Sequence, residues 1–367
     1  MANDHKRVKK LTYWLLFLVL LVFVLVETRE FLYPIVMAML FAYLLYPVVK
    51  RLEKWGIPRI LATFVTIIIS MALFVGLLLL LYKQLSVFLT DFPELKEKAL
   101  ANIDMLQAHI DRKFGDESQA NERWLRMQVS NALDLIGSAI KNILLATTST
   151  ITKFALMPVY IFLMLYYRNK FEGFLFRAMP SHKHGKVKVM IDEISNVTKH
   201  YMGGVVIVIL ILCFINSAGL LIIGVEYAIL LGIVSAFINF IPYFGTLIGG
   251  AVPLLYTLIV QGDPQKTVAV LLFFLVVQFT ENNILTPNIT GSRVNINPLF
   301  TILSIIVGGM LWGLPGMFVA VPIMGMFKIY FDNSPELQAY AFMLGTEGTE
   351  EHALTVDKIL RFLRVRK

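Results

Sequence analysis

Long apolar runs constrain this chain more than any other feature of its sequence. Six runs are long enough, or nearly so, to cross a bilayer as an α-helix, which needs about 17–25 residues. They cover residues 11–26, 31–49, 60–82, 143–167, 201–225 and 267–285. Because 57% of the residues are apolar and only 16% are charged, a soluble fold could not bury the apolar surface. The sequence therefore predicts an all-α, polytopic transmembrane helix bundle with the lipid bilayer as its solvent.

Two further apolar pairs are too short to span a membrane in the ordinary way. The first pair, 229–241 and 246–260, is joined at "PYFG", and the second, 299–312 and 317–331, at "GLPG". Helices of about 13–15 residues reach only about 20–22 Å. Such broken or re-entrant helical hairpins build the substrate site of many transporters. The two pairs start on opposite faces, so re-entrant hairpins would point at each other as an inverted repeat. The alternative is four short, tilted spanning helices.

The distribution of lysine and arginine predicts the orientation in the membrane. Twenty-two of these residues flank the runs on one side, in the ranges 1–10, 50–59, 168–200, 293 and 328–367. The short loops on the other side hold only Arg29 and Lys266. Because cytoplasmic loops carry this excess, both termini are expected in the cytoplasm. These flanks also explain the net charge of +8, so no nucleic-acid partner is expected.

Residues 83–145 form the one sizeable segment outside the apolar runs. Asp91 and Glu94 have capping-box spacing around Pro93, which predicts a helix that starts at Asp91 and stops at Gly115. One face of this helix is apolar, and a second amphipathic helix follows from about residue 122. We expect an extracytoplasmic helical hairpin, which either packs on the membrane domain or contacts a partner.

The segment "QFTENNILTPNITG" ends the last long run with an unusual group of polar side chains. Those within about one helical turn are Gln278, Glu281, Asn282 and Asn283. A carboxylate near a membrane segment is costly unless it faces protein, water or an ion. Pro287 then forces the chain out of the helix. The turn either lines a polar cavity or is an ordinary helix exit among the headgroups. Asn216, inside the fifth run, is interpreted as an interhelical hydrogen-bonding residue.

The motifs of common enzyme classes are missing from the sequence. It contains no nucleotide-binding loop, nucleophile elbow, HExxH or Cys/His cluster with metal-ligand spacing, and its one cysteine, Cys213, lies in an apolar run. We therefore expect no enzymatic activity, no catalytic residue, no metal site and no cofactor. Two classes of function remain: transport of a small-molecule cargo, and a membrane scaffold that works through residues 83–145.

Four segments carry a family likeness. "INFIPYFGTLIGGAVP", "QFTENNILTPNITGSRVNINPL", "VGGMLWGLPGMFVAVP" and the earlier "YPIVMAMLFAYLLYPVVKRLEKWGIPR" resemble the signature segments of the autoinducer-2 exporter family of bacterial transport proteins. The likeness extends from about residue 10 to residue 331. It implies export of small solutes, with the quorum signal autoinducer-2 as the name-giving cargo, and sodium–proton exchange in other members.

The resemblance also implies which residues serve transport or substrate binding. They are Asn239, Pro242 and Gly245 in the first block, Glu281, Asn283, Thr286, Pro287 and Gly291 in the second, and Pro315, Gly316 and Pro322 in the third. Gln278 and Asn282 join them because they share a helical turn with Glu281. Many members have a small or basic residue where this chain has Asn288, and this departure would alter selectivity if the position touches cargo.

The expected organisation has four parts. They are N-terminal membrane helices (1–82), an extracytoplasmic helical hairpin (83–145), a transport core (146–331) with hairpins 229–260 and 299–331, and a cytoplasmic C-terminal tail (332–367). The expected function is export of a small polar molecule such as autoinducer-2 by a homo-oligomer coupled to an ion gradient. The alternatives are a sodium–proton antiporter, with Glu281 as the proton-exchanging carboxylate, and the non-transporting scaffold.

Overall fold

A computed structural model of the chain describes residues 2–114, 119–154, 156–239, 244–289 and 295–348. Within these ranges the chain is nearly all helical and contains no strand. The α-helices are α1 (Ala2–Glu27), α2 (Arg29–Lys54), α3 (Arg59–Phe114), α4 (Gln119–Phe154), α5 (Met157–Tyr166), α6 (Arg168–Ala178), α7 (His184–Ile223), α8 (Ala228–Ile238), α9 (Phe244–Leu255), α10 (Pro264–Thr280), α11 (Thr286–Ile289), α12 (Pro298–Trp312), α13 (Leu314–Asp332) and α14 (Gln338–Leu344). The all-α bundle predicted from the sequence is confirmed.

Six helical segments of the described chain are long and apolar enough to cross a membrane. Five of them, in α1, α2, α3, α7 and α10, correspond to predicted runs. The prediction of one continuous span over 143–167 is wrong, since the run is divided between α4 and the ten-residue α5. Pro158 lies in the first turn of α5, where proline is favoured because its missing N–H costs no helical hydrogen bond. The sixth segment is α13, which has 19 residues and is longer than predicted.

Helix α3 continues far beyond its apolar run. It has 56 residues, about 84 Å at 1.5 Å per residue, and Pro93 lies inside it. The predicted helix start at Asp91 is therefore wrong. Pro93 removes only one backbone hydrogen bond, and the Asp91 carboxylate accepts a hydrogen bond from the Tyr227 hydroxyl instead of capping a helix. The predicted domain boundary at 82/83 lies within this continuous helix, and the predicted boundary at 145/146 lies within α4. The four-part organisation therefore stays a prediction.

The continuation of α3 and the facing part of α4 form a structure that we call the arm. A salt bridge joins its two helices, with Lys96 Nζ 2.7 Å from Asp134 Oδ1. Leu95, Ala99 and Ile103 of α3 are buried, as the predicted apolar face requires.

The two ends of α7 serve as reference points for the positions of the other helices. We call the end at His184 proximal and the end at Ile223 distal. Hairpin 1 consists of α8, α9 and the π-helical segment Tyr256–Gln261. Both ends of hairpin 1 lie distally, against the arm: the Tyr227 hydroxyl donates to Asp91, and Asn102 Nδ2 donates to the carbonyl oxygen of Val260 at 2.9 Å.

Hairpin 2 consists of α12 and α13, and its open end is proximal. Asn333 Nδ2 donates to Glu193 Oε2 near the start of α7 at 2.9 Å. The amide of Asn297, just before α12, donates to the carbonyl of Leu344 at 2.8 Å. Because hairpin 1 opens distally, the two hairpins enter the bundle from opposite ends, an arrangement that an inverted repeat would produce.

Candidate functional site

Glu281 begins an irregular turn at the end of α10. The helix starts with Pro264 after Asp263, whose carboxylate accepts hydrogen bonds from two backbone amides. It ends at Thr280, and the π-helical segment Glu281–Leu285 follows before the short α11. Segments of this kind are wider than an α-helical turn and are frequent at functional sites. The Glu281 side chain is only 7% exposed.

Two amide side chains surround the Glu281 carboxylate. Asn239, which ends α8, forms a side-chain hydrogen bond with it. Gln278 Nε2 donates to Glu281 Oε2 from one turn earlier, at 3.4 Å. The hydrogen bond from Asn239 joins hairpin 1 to α10. Three predicted site residues from two parts of the chain, Asn239 at the end of α8 and both Gln278 and Glu281 at the end of α10, therefore meet at one point.

Within the residues that the structure describes, no cation pairs with the Glu281 carboxylate. Burying a charge without a partner is costly, and amide donors compensate it only in part. Such a carboxyl group can take up a proton or attract a cation, and the arrangement is suited to either.

Gly245, another predicted site residue, allows hairpin 1 to close at this point. A Cβ atom at Gly245 would overlap the backbone of Asn239. Only glycine therefore lets the start of α9 lie directly against the end of α8. Pro242, between these two residues, lies outside the described residues, as does Gly291.

The remaining polar residues after α10 face away from this site. Asn282, Thr286 and Pro287 are exposed. Asn283 is also exposed, and its Nδ2 donates to the carbonyl of Phe279 at 2.8 Å in its own helix. The departure at Asn288 is likewise on an exposed side chain. Only one face of this turn contributes to the buried site.

The residues carried over to hairpin 2 pack elsewhere in the bundle. Pro315 lies in the first turn of α13, Gly316 touches the backbone of Gly308 on α12, and Pro322 is fully buried. The main packing partners of hairpin 2 in the described chain are α1, α2, α7 and α14. At its turn, Trp312 Nε1 donates to the carbonyl of Leu25 at 2.9 Å. These residues shape hairpin 2, and the predicted meeting of both turns at Glu281 stays a prediction.

One buried polar residue next to the site was not predicted. Ser235 precedes Asn239 by one turn on α8 and is 3% exposed. Asn216 on α7 was expected to make an interhelical hydrogen bond, but its Oδ1 has no hydrogen-bond partner among the described residues. The spacing of four residues between Ser235 and Asn239 in an apolar run is a signal that could have identified Ser235.

Comparison with known proteins decides the family. The sequence pattern of the family described as "AI-2E family transporter" matches residues 14–336, which are most of the chain. The chain belongs to the AI-2E transporter family. YrrI of Bacillus subtilis is 26% identical over 81% of this chain and 84% of its own length. The "AI-2 transport protein TqsA" of Escherichia coli is 24% identical over 88% of this chain and 91% of its own length.

Membership of the AI-2E family makes this chain a multi-pass bacterial membrane protein with a transport role. Its partners therefore include a small-molecule cargo and the lipid bilayer. The family consists of transport proteins, which agrees with the expectation that the chain is not an enzyme. The buried carboxylate, the two opposed hairpins and the broken end of α10 are the features from which an AI-2E transporter can build a cargo pathway.

Proposed function

We propose that this protein exports a small polar molecule, such as autoinducer-2, across the bacterial inner membrane, driven by an ion gradient. The hydrogen bond between Asn239 and Glu281 carries the proposal, because it connects hairpin 1 to a buried carboxylate that forms no salt bridge within the described residues. The similarity to TqsA, named for AI-2 transport, supports the choice of cargo. Protonation of Glu281 would remove its charge and weaken the link to Asn239.

The opposed hairpins provide a mechanism of alternating access. Hairpin 1 is fastened distally by the bonds from Tyr227 to Asp91 and from Asn102 to Val260. Hairpin 2 is fastened proximally by the bond from Asn333 to Glu193. If the distal hydrogen bonds of hairpin 1 broke while the proximal hydrogen bond of hairpin 2 held, or the reverse, the pathway would open to one side of the membrane at a time.

The distal contacts favour a closed hairpin 1 at neutral pH. Burial, followed by the hydrogen bond to Asp91, raises the pKa of the Tyr227 hydroxyl, so the hydroxyl stays protonated and donates. Tyr227 also has a φ of 53°, the only positive φ of a non-glycine among the described residues. Such a conformation is strained and persists only while its surroundings hold it. We propose that this strain helps hairpin 1 open once Asp91 is released.

Sodium–proton antiport is the second candidate function. It is favoured by the same Glu281, which forms no salt bridge in the described part of the chain and can exchange a proton for a cation at one site. The two candidates share the residues that we propose serve transport or substrate binding: Asn239, Pro242, Gly245, Gln278, Glu281, Asn282, Asn283, Thr286, Pro287, Gly291, Pro315, Gly316 and Pro322. A homo-oligomeric assembly is also part of the proposal.

Reconstitution distinguishes these candidates from each other and from a scaffold. Proteoliposomes are loaded with autoinducer-2, and efflux is measured with an imposed pH difference, with an imposed sodium difference, and with neither. We expect efflux to exceed that of empty liposomes and to increase with the pH difference. Sodium movement without autoinducer-2 efflux would select the antiporter, and no movement of either would contradict a transport role for Glu281.

Cysteine labelling tests the proposed orientation, with the proximal end and both termini in the cytoplasm. In a Cys213→Ser background, Glu172→Cys places a thiol on the exposed proximal surface and Ser138→Cys places one on the exposed arm. With an impermeant thiol reagent on intact cells, we expect Ser138→Cys to react and Glu172→Cys to react only after the cells are opened. Reaction of Glu172→Cys in intact cells would reverse the orientation.

A further inference from the structure

A layer of unpartnered polar atoms separates two apolar clusters between α7 and α8. The distal cluster includes Leu220 of α7 with Leu230 and Leu231 of α8. The proximal cluster includes Leu212 of α7 and Ala236 of α8. Asn216 and Ser235 lie between these clusters.

The register of the two helices places Asn216 and Ser235 close together. A Cβ atom at Gly232 would overlap Ser217, so these two positions lie side by side where the antiparallel helices touch. Asn216 adjoins Ser217, and Ser235 is one turn from Gly232 toward the proximal end. Leu212, Asn216 and Leu220 recur every four residues and therefore share the face of α7 that α8 covers.

Both residues of this layer contain a polar atom without a partner. Asn216 and Ser235 are each 3% exposed. Neither Asn216 Oδ1 nor Ser235 Oγ has a hydrogen-bond partner in the described part of the chain. A buried polar atom without a partner is costly, and a polar site of this kind is where proteins hold ordered water. The layer continues toward Glu281, because Asn239 follows Ser235 by one turn and bonds to Glu281.

We propose that the layer of Asn216 and Ser235 binds ordered water and is the distal route by which protons reach Glu281. The Ser235 hydroxyl can accept a proton from one water while its own proton passes to the next, so the transfer leaves Ser235 unchanged. Asn216 Oδ1 accepts a hydrogen bond and orients the first water. This inference rests on the proposed role of Glu281 as the proton-exchanging carboxylate.

The groups around Glu281 allow it to be the end of this route. From α8 it meets the amide of Asn239, and from α10 that of Gln278. The apolar cluster beside it, formed by α7, α8, α10 and the turn that follows α10, contains one titratable side chain, Cys213 of α7. On the distal side, the route is closed by the other cluster, to which Phe88 of the arm contributes. Movement of the arm would therefore open it.

Radiolytic hydroxyl-radical labelling tests for the water directly, since radicals form at bound water and modify side chains beside it. The purified full-length protein in nanodiscs is exposed to X-rays, and modification of the peptide that contains Cys213 and Asn216 is measured. The variants are Ser235→Ala and Asn216→Leu. The matched control is Ser304→Ala, because Ser304 is also buried but donates to the carbonyl of Thr301 in its own helix at 2.8 Å.

We expect rapid modification of this peptide in the wild type and in Ser304→Ala, and a clear decrease in both layer variants. Equal modification in all four proteins, or none in the wild type, would overturn the proposed water. Efflux in proteoliposomes then tests the route. We expect Ser235→Ala to slow pH-driven efflux roughly five-fold, the factor that corresponds to one lost hydrogen bond, with Ser304→Ala unchanged.

The two proposals fail in different ways in this assay. If Glu281→Gln transports like the wild type, the proposed function of Glu281 is wrong. If Glu281→Gln is inactive while Ser235→Ala and Asn216→Leu both transport like the wild type, only the route is wrong. Slow efflux by the layer variants together with an inactive Glu281→Gln supports both.

Discussion

Substitution of Glu281 by glutamine should abolish pH-driven efflux while the protein still folds. Glutamine keeps the size of the side chain and can still form hydrogen bonds with Asn239 and Gln278, but it cannot exchange a proton. Because proton transfer by a positioned side chain is worth at least about 100-fold in rate, we expect a loss of that size. Glu281→Asp should keep part of the activity, since the carboxyl group survives at a shorter reach. The measurement is efflux against pH from liposomes that contain equal amounts of each protein.

An exposed carboxylate provides the control for this substitution. Glu172 lies on the proximal surface, and Glu172→Gln removes the same charge from a solvated position. Exposed charges contribute little, so efflux should not change. Efflux curves of Glu281→Gln that superimpose on those of the wild type would show that Glu281 is only part of a helix end.

Substitution of Gly316 by alanine should strongly destabilise hairpin 2. A Cβ atom at Gly316 would overlap the backbone of Gly308, which belongs to the neighbouring helix and cannot rotate away. Overpacking of this kind costs typically about 1–3 kcal/mol. Alanine favours a helix over glycine by only about 1 kcal/mol, so the overlap outweighs the gain. We expect a lower thermal unfolding midpoint and more aggregation of the purified protein in detergent.

Gly76 provides a matched control on another membrane helix. It lies in α3, and a Cβ atom there would meet nothing within 4 Å. Gly76→Ala should therefore leave the unfolding midpoint unchanged or raise it. If Gly316→Ala unfolded at the same temperature as Gly76→Ala, the close contact between α12 and α13 would be contradicted.

The helices of this fold could largely be predicted because hydrophobicity and length determine which segments lie in a bilayer. The errors came where a local signal competes with its surroundings. Pro93 and Asp91 indicate a helix start in an isolated peptide, yet α3 passes through them because its apolar face packs on hairpin 1. At 143–167 the prediction followed the apolar composition and overlooked Pro158, a residue typical of the first turn of a helix, where it lies in α5.

The site was predictable only in part, for a geometric reason. The sequence singles out Glu281 as a carboxylate at the end of an apolar run, and the family resemblance adds Asn239. Neither indicates that the two side chains meet, because that depends on how far hairpin 1 reaches beside α10. The sequence also did not indicate which of residues 278–288 face the interior, because the π-helical turn changes the helical period there.

Proton movement during cargo efflux tests the central claim most directly. Liposomes that contain a pH-sensitive dye and an outward autoinducer-2 gradient, but no initial pH difference, are prepared with wild type or Glu281→Gln. If Glu281 couples transport to protons, the internal pH should change only while cargo leaves through the wild type, and it should stay constant with Glu281→Gln. An equal pH change with both proteins, or wild-type efflux without any pH change, would contradict the claim.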